Sequence, residues 1–124
     1  MVGVFVVARI GRGADTGKLG LPRGIAIDGS DRVFVVDTSG QGVQVDRTWQ
    51  GSGPSLEFLG TFGSQGIGNG QFNFPNGVAV DGRGRIYVAD STNKNVHVYS
   101  SSGTWLRDVG SGGEAVGQFK SDLR

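Results

Sequence analysis

An internal repeat limits the folds that are open to this chain. Residues 21–29 (LPRGIAIDG) and 74–82 (FPNGVAVDG) share Pro, Gly, Ala, Asp and Gly in register, at an offset of 74 − 21 = 53 residues. The same offset places 32–37 (RVFVVD) on 85–90 (RIYVAD). Repeats of this kind form units that cannot bury their apolar faces alone and therefore stack on their neighbours.

A second alignment gives the length of the unit. Residues 70–72 and 117–119 both read GQF, at an offset of 117 − 70 = 47 residues. The two offsets differ by 53 − 47 = 6 residues, which places an insertion near 47–54 of the first unit. The underlying unit is therefore close to 47 residues long, a length typical of propeller and solenoid repeats.

Each unit is predicted to contain four β-strands. Its apolar runs are short, rich in Val and Ile and separated by turn residues, and the 24 glycines of the chain supply many tight turns. No helical periodicity of useful length interrupts this pattern. Residues 4–10 (VFVVARI) fit the last strand of a preceding unit. The predicted strands are 24–28, 32–37, 43–46 and 56–62 in the first unit, and 77–81, 85–90, 96–99 and 105–109 in the second.

The first and last strands of a unit differ in character. The first strand, 25–27 (IAI) or 78–80 (VAV), is apolar at every position, which predicts a strand covered on both faces by neighbouring sheets. The last strand is more polar, as an outer and more solvated strand should be. Asp-Gly pairs follow each first strand, and we expect Gly29 and Gly82 to supply positive φ in the hairpins.

A family resemblance rests on these residues. The segment 70–99 (GQFNFPNGVAVDGRGRIYVADSTNKNVHVY) resembles an NHL repeat almost position by position. The first unit is a looser match, and the resemblance extends over about 7–119. It implies an all-β fold built from β-propeller blades of four antiparallel strands, usually six to a ring. It also implies a surface that binds protein or RNA, a sensor domain or, in some members, a lyase acting on peptidyl-α-hydroxyglycine.

The chain is expected to be a single partial NHL propeller domain, 1–124. Six units of this size need roughly 250 residues or more, so we expect self-association or further blades to close a ring. Two blades alone leave apolar faces and strand edges open, and we expect the isolated chain to oligomerise or to fold poorly. The expected divisions are the end of one blade at 1–16, blades at 17–63 and 64–110, and the start of a further blade at 111–124.

Composition narrows the classes of function. A net charge of +1 creates no general demand for a nucleic acid or membrane partner, and without Cys there is no disulfide or thiolate metal site. Residues 1–8 (MVGVFVVA) are too short to span a membrane and lack the flanks of a signal peptide. We therefore expect a β-strand there and no membrane partner.

The residues that most resemble catalytic or metal-binding groups favour structural roles. His97 is the single His and stands between two apolar strand residues, where the first unit has Gln44. Asp37 and Asp90 recur at the ends of second strands, where a carboxylate caps the following turn; a cation site is the alternative. We predict no catalytic residue, no metal ligand and no cofactor.

The candidate partner-binding residues lie on loops. Lys18 and Arg23 precede the first strand of the first unit, whereas Asn76 and Lys94 occupy comparable loops of the second. Trp49 lies in the insertion, and it either anchors a partner or folds back over the edge of its own blade. These residues favour a non-enzymatic scaffold that binds a protein or peptide. An RNA-binding face and a fragment of a propeller lyase are the alternatives.

Overall fold

A computed structural model describes residues 19–48, 56–112 and 118–119, and these residues form β-strands and turns. None of the described segments forms a helix with the length and apolarity needed to cross a membrane. The predicted strand at 4–10 lies outside the described residues. In chain order the strands are β1 Pro22–Ile27, β2 Arg32–Asp37, β3 Gly42–Thr48, β4 Leu56–Phe62, β5 Ser64–Gln65, β6 Gln71–Phe72, β7 Pro75–Val80, β8 Ile86–Asp90, β9 Asn95–Tyr99, β10 Trp105–Val109, β11 Ser111–Gly112 and β12 Gln118–Phe119.

Eight strands form two four-stranded antiparallel sheets, in the orders β1-β2-β3-β4 and β7-β8-β9-β10. β2, β4 and β10 have the predicted bounds, β8 and β9 end at the predicted residues, and the remaining strand ends differ by one or two residues. The register repeats at the same offset, because Ala26 pairs with Phe34 in the first sheet and Ala79 pairs with Tyr87 in the second. The two sheets are thus copies of one blade, as the sequence predicted.

Short strands that the sequence did not predict follow the last strand of each four-stranded sheet. β5 pairs in parallel with β6, and β11 pairs in parallel with β12. Each pair brings the residues after an outer strand next to the GQF segment. A strand of two residues has no periodicity that could be read from sequence, which is why these short strands were not predicted.

The prediction for the hairpin glycines was wrong. The left-handed residues are Asp31 (φ 64°) and Gly84 (φ 81°), which close the loops rather than open them. In the first hairpin the amide of Asp28 donates to Arg32 O at 3.0 Å, and the amide of Asp31 donates to Asp28 O at 3.4 Å. The loop therefore begins with a turn and ends with a residue of positive φ. This is a common form of the longer hairpin connection.

A shared apolar core joins the two sheets. Phe72, from the connection, contacts the Tyr99 ring with centroids 5.9 Å apart, and Phe62 contacts the same ring at 4.6 Å. At the inner strands the backbones almost touch, because a Cβ added to Gly24 would lie 3.2 Å from Gly77 Cα. Two sheets stacked in this way are blades of a partial β-propeller. The buried core residues are Phe34, Val36, Val43, Phe72, Ile86, Val88 and Tyr99.

The two inner strands are not covered alike. Val78 and Val80 of β7 pack against the shared core. Their counterparts in β1, Ile25 and Ile27, are 56% and 44% exposed, so the expectation of cover on both faces is wrong for β1. Ile25 and Ile27 are exposed because they lie on the face of the first sheet that is turned away from the second sheet. The outer strands are solvated as predicted, and the division into blades at 17–63 and 64–110 stays a prediction.

Candidate interaction surface at one end of the sheets

A carboxylate at the end of β2 organises the loops at one end of the first sheet. Asp37 accepts hydrogen bonds from the amides of Gly20 and Leu21, each at 2.9 Å, and from the amide of Gly40 at 3.1 Å. Burial raises the pKa of Asp37, but these backbone donors outweigh it and lower the pKa. The carboxylate thereby ties the β2–β3 loop to the segment that leads into β1.

Asp90 does the same at the end of β8, and it is fully buried. It accepts from the amide of Asn73 at 2.9 Å, from the amide of Asn93 at 3.1 Å and from Asn93 Nδ2 at 3.0 Å. Asn93 Nδ2 also donates to Gly66 O at 3.1 Å, which adds the connection between sheets to the network. The predicted capping by Asp37 and Asp90 is confirmed, and each also fixes the segment before an inner strand.

Two further hydrogen bonds cross from the first sheet to the second at this end. Thr38 Oγ1 donates to Pro75 O at 2.6 Å, and Gln41 Oε1 accepts from the amide of Phe74 at 2.9 Å. Thr38 and Gln41 are both buried. The loops of the two blades therefore form one continuous, hydrogen-bonded layer.

This layer leaves three apolar side chains in solvent. Leu21 and Phe74 occupy equivalent places, one residue before the start of β1 and of β7, and they are 41% and 52% exposed. Ile67, in the connection, is 88% exposed. Sequence analysis missed all three, although the apolar residue before Pro in both repeats was a visible signal. The end surface is defined here as Leu21, Arg23, Ile67, Phe74, Asn76 and Lys94.

Three of the predicted partner-binding residues lie on this end surface. Arg23 is exposed, and Lys94 is partly exposed with φ 59°. Neither forms an ion pair with the described residues. Asn76 is half-buried, and its Nδ2 donates to Ser91 Oγ at 2.5 Å. The other two candidates, Lys18 and Trp49, lie outside the described residues.

The opposite end of the sheets has paired charges. Arg32 Nε lies 2.8 Å from Asp28 Oδ2, and Arg85 Nε lies 2.7 Å from Asp81 Oδ2. Tyr87 OH also donates to Asp81 Oδ2 at 2.9 Å. The two ends therefore differ, because each hairpin at one end contains an Asp–Arg ion pair, whereas Arg23 and Lys94 lie beside apolar groups at the other end.

His97 has a buried, structural position in the second sheet. Its Nε2 lies 2.9 Å from Asp90 Oδ2 and its Nδ1 lies 2.7 Å from Asp108 Oδ1, and the side chain is 1% exposed. Trp105, packed at the outer strand as predicted, donates from Nε1 to the same Asp108 oxygen at 2.9 Å. Burial alone would lower the pKa of His97, but the hydrogen bonds to Asp90 and Asp108 raise it.

At the equivalent position, the first sheet has Gln44 in place of a titratable His ring. Gln44 stands where His97 stands, and its Nε2 donates to both oxygens of Asp46 at 3.0 and 3.1 Å. Burial raises the pKa of Asp46, and these bonds only partly oppose it. Within the parts of the chain that are described, no three His, Cys, Asp or Glu side chains are grouped to hold a metal ion.

Comparison with known proteins agrees with the repeat read from the sequence. Residues 72–99 match the model of the NHL repeat. The chain carries an NHL repeat. Human NHL repeat-containing protein 3 is 31% identical to it over 86 residues, which is 68% of this chain and 24% of that protein. Protein lin-41 of Caenorhabditis elegans is 41% identical over 46 residues, which is 37% of this chain and 4% of that protein.

The matched NHL repeat begins at the β6 residue Phe72 and ends with β9, so it contains β7, β8 and β9 of the second sheet. A gluconolactonase from Xanthomonas campestris has a similar fold, with a TM-score of 0.56 at 22% identity over 72% of this chain and 27% of that one. The chain thus spans 27% or less of the length of these three proteins. The structural likeness establishes the propeller fold alone.

Proposed function

We propose that this chain is a non-enzymatic NHL-repeat scaffold that binds a protein partner through the end surface. The observation that carries the proposal is the paired exposure of Leu21 and Phe74 at equivalent places in two blades. Both side chains stand on backbone that is fixed by a buried or part-buried carboxylate, Asp37 or Asp90. Rigid sheets that present loop residues are a common basis for recognition.

An RNA-binding face has weaker support. Binding to a phosphate backbone grows with the number of cations that contact it. Arg23 and Lys94 are the two lone cations among the described residues of the end surface, and the whole chain has a net charge of +1. A lyase fragment has less support, because the sole His of the chain is buried between two carboxylates.

The proposal is tested by site-specific photo-crosslinking in the intact protein. A photoreactive amino acid replaces Thr92, which is exposed beside Asn93 at the end surface, or Arg83, which is exposed in the hairpin at the opposite end. We expect a defined protein adduct from position 92 and none from position 83. The same adduct should weaken when Leu21 and Phe74 are both replaced by Ser.

The crosslinking results distinguish the end surface from other binding sites. Equal adducts from both ends would show that the end surface is not the binding site. Adducts from position 92 that persist in the double Ser variant would show that the exposed apolar pair does not contribute. An adduct with RNA and none with protein would favour the alternative face and contradict the proposal.

A further inference from the structure

The backbone at Phe74 is held in an unfavourable conformation. Its φ is 61°, a left-handed value that bulky side chains rarely adopt. Gln41 Oε1 fixes its amide at 2.9 Å, and Asp90 Oδ2 fixes the preceding amide of Asn73 at 2.9 Å. The carbonyl of Phe74 accepts from Ser91 N at 3.4 Å. Strained residues kept in place by their surroundings are typical of ligand clamps, and here the strain directs an aromatic ring into solvent.

The neighbours of Phe74 give the surface its chemistry. Leu21 and Ile67 add aliphatic area, and Arg23 and Lys94 add positive charge. The two carboxylates of this layer, in Asp37 and Asp90, point inward to backbone donors. The described part of the end surface is therefore apolar and positive, with no exposed acid to oppose an anionic ligand.

We infer that the end surface binds a linear peptide segment that carries acidic residues beside large apolar ones, with Phe74 as its anchor. The inference rests on the proposed function and adds the class of partner. Two of the three exposed apolar groups are aliphatic and offer no ring on which a nucleobase can stack. Charge complementarity with two lone cations suits a few carboxylates, whereas nucleic acid needs many phosphate contacts.

The probe is a display library of random linear peptides selected against the intact protein. We expect enriched sequences to combine Asp or Glu with Leu, Ile, Phe or Trp. Synthetic peptides from the selection are then measured by fluorescence polarisation against variants. Phe74→Gly is the main variant, because Gly adopts φ 61° without strain and keeps the backbone while removing the ring. We expect it to weaken binding at least tenfold.

Two controls separate the anchor and the charge from general effects. Leu106→Ser removes an apolar side chain of similar exposure, 47%, from the outer strand and should leave binding unchanged. Lys94→Gln installs the residue that the first repeat has at this left-handed position, Gln41, so the loop should keep its shape. Lys94→Gln should weaken the binding of acidic peptides several-fold, and added salt should reduce the difference in affinity between the variant and the parent.

The dependence of peptide binding on Phe74 and Lys94 decides between support for the inference and its rejection. Peptides that bind Phe74→Gly as well as the parent, or selections that enrich neutral or basic sequences, overturn the inference while leaving a protein-binding scaffold in place. Selection of no peptide together with retention of an oligouridine probe overturns both the inference and the proposed function. Acidic, apolar peptides that depend on Phe74 and Lys94 but not on Leu106 support it.

Discussion

At the scale of single residues, the His97 ring is the most informative group. A protonated ring donates to Asp90 and to Asp108 at once, whereas a neutral ring can donate to only one of them. The contacts raise the pKa of His97 in the folded protein above its value in the unfolded chain. The resulting stabilisation is complete below the unfolded pKa, about 6.5, and is lost as pH rises through the folded pKa.

We therefore expect the free energy of unfolding to fall as pH rises above about 6.5. Urea denaturation followed by tryptophan fluorescence at a series of pH values measures this directly. The matched control is His97→Gln, the residue of the first sheet at Gln44, which should remove the decline. A parent protein whose stability is flat or rises over this range would contradict the assignment of a doubly bonded imidazolium.

The two capping carboxylates should differ in their contribution to stability. Asp90 is fully buried and holds His97, whereas Asp37 is only partly buried and bonds mainly to backbone amides. Asp90→Ala should cost about 3–5 kcal/mol, because it leaves a buried partner uncompensated. Asp37→Ala should cost about 1–3 kcal/mol. Equal losses in chemical denaturation would argue against a special role for the His97 contact.

At the scale of elements, the hairpin between β7 and β8 allows a sharp test. Gly84 has φ 81°, and a Cβ there would also lie 3.1 Å from the Cβ of Ser101. Gly84→Ala should therefore destabilise the protein by about 1–2 kcal/mol. In the same loop, Gly82 has nothing within 4 Å of an added Cβ and shows no left-handed φ. Gly82→Ala should be neutral or stabilise by roughly 0.4–1 kcal/mol.

The same hairpin shows where sequence reasoning succeeds and where it stops. β-branched runs such as Arg32–Asp37 located eight strands, because apolar patterning and turn residues both mark them. Their antiparallel arrangement in blades was implied by the resemblance to the NHL repeat. The Asp-Gly pair correctly marked the turn. It did not mark the residue with positive φ, Gly84, because that residue depends on how the loop closes. The position of Phe74 depends on a contact across sheets, from Gln41, and the partners of His97 lie on the two strands that flank it. A single sequence does not encode either set of contacts locally.

At the scale of the whole molecule, two stacked blades bury one interface and leave part of the other face of the first sheet exposed at β1. The shared core buries Phe34 and Val36 from the first sheet and Ile86 and Val88 from the second. Exposed apolar patches on soluble proteins often mark association surfaces, and beyond that core the structure exposes apolar groups on inner and outer strands. They include Ile25, Ile27, Leu106 and Val109.

The isolated chain should therefore self-associate, and its assembly should depend on the uncovered face of β1. Sedimentation velocity at several concentrations should show species larger than a monomer, with a distribution that shifts with dilution. Replacing Ile25 and Ile27 by Thr keeps β-branching but reduces apolar area, so the double variant should move toward smaller species. Thr at Leu106 and Val109 tests the outer strand in the same way. A compact, stable monomer at every concentration would mean that the exposed isoleucines are tolerated in water and that the open face drives no assembly.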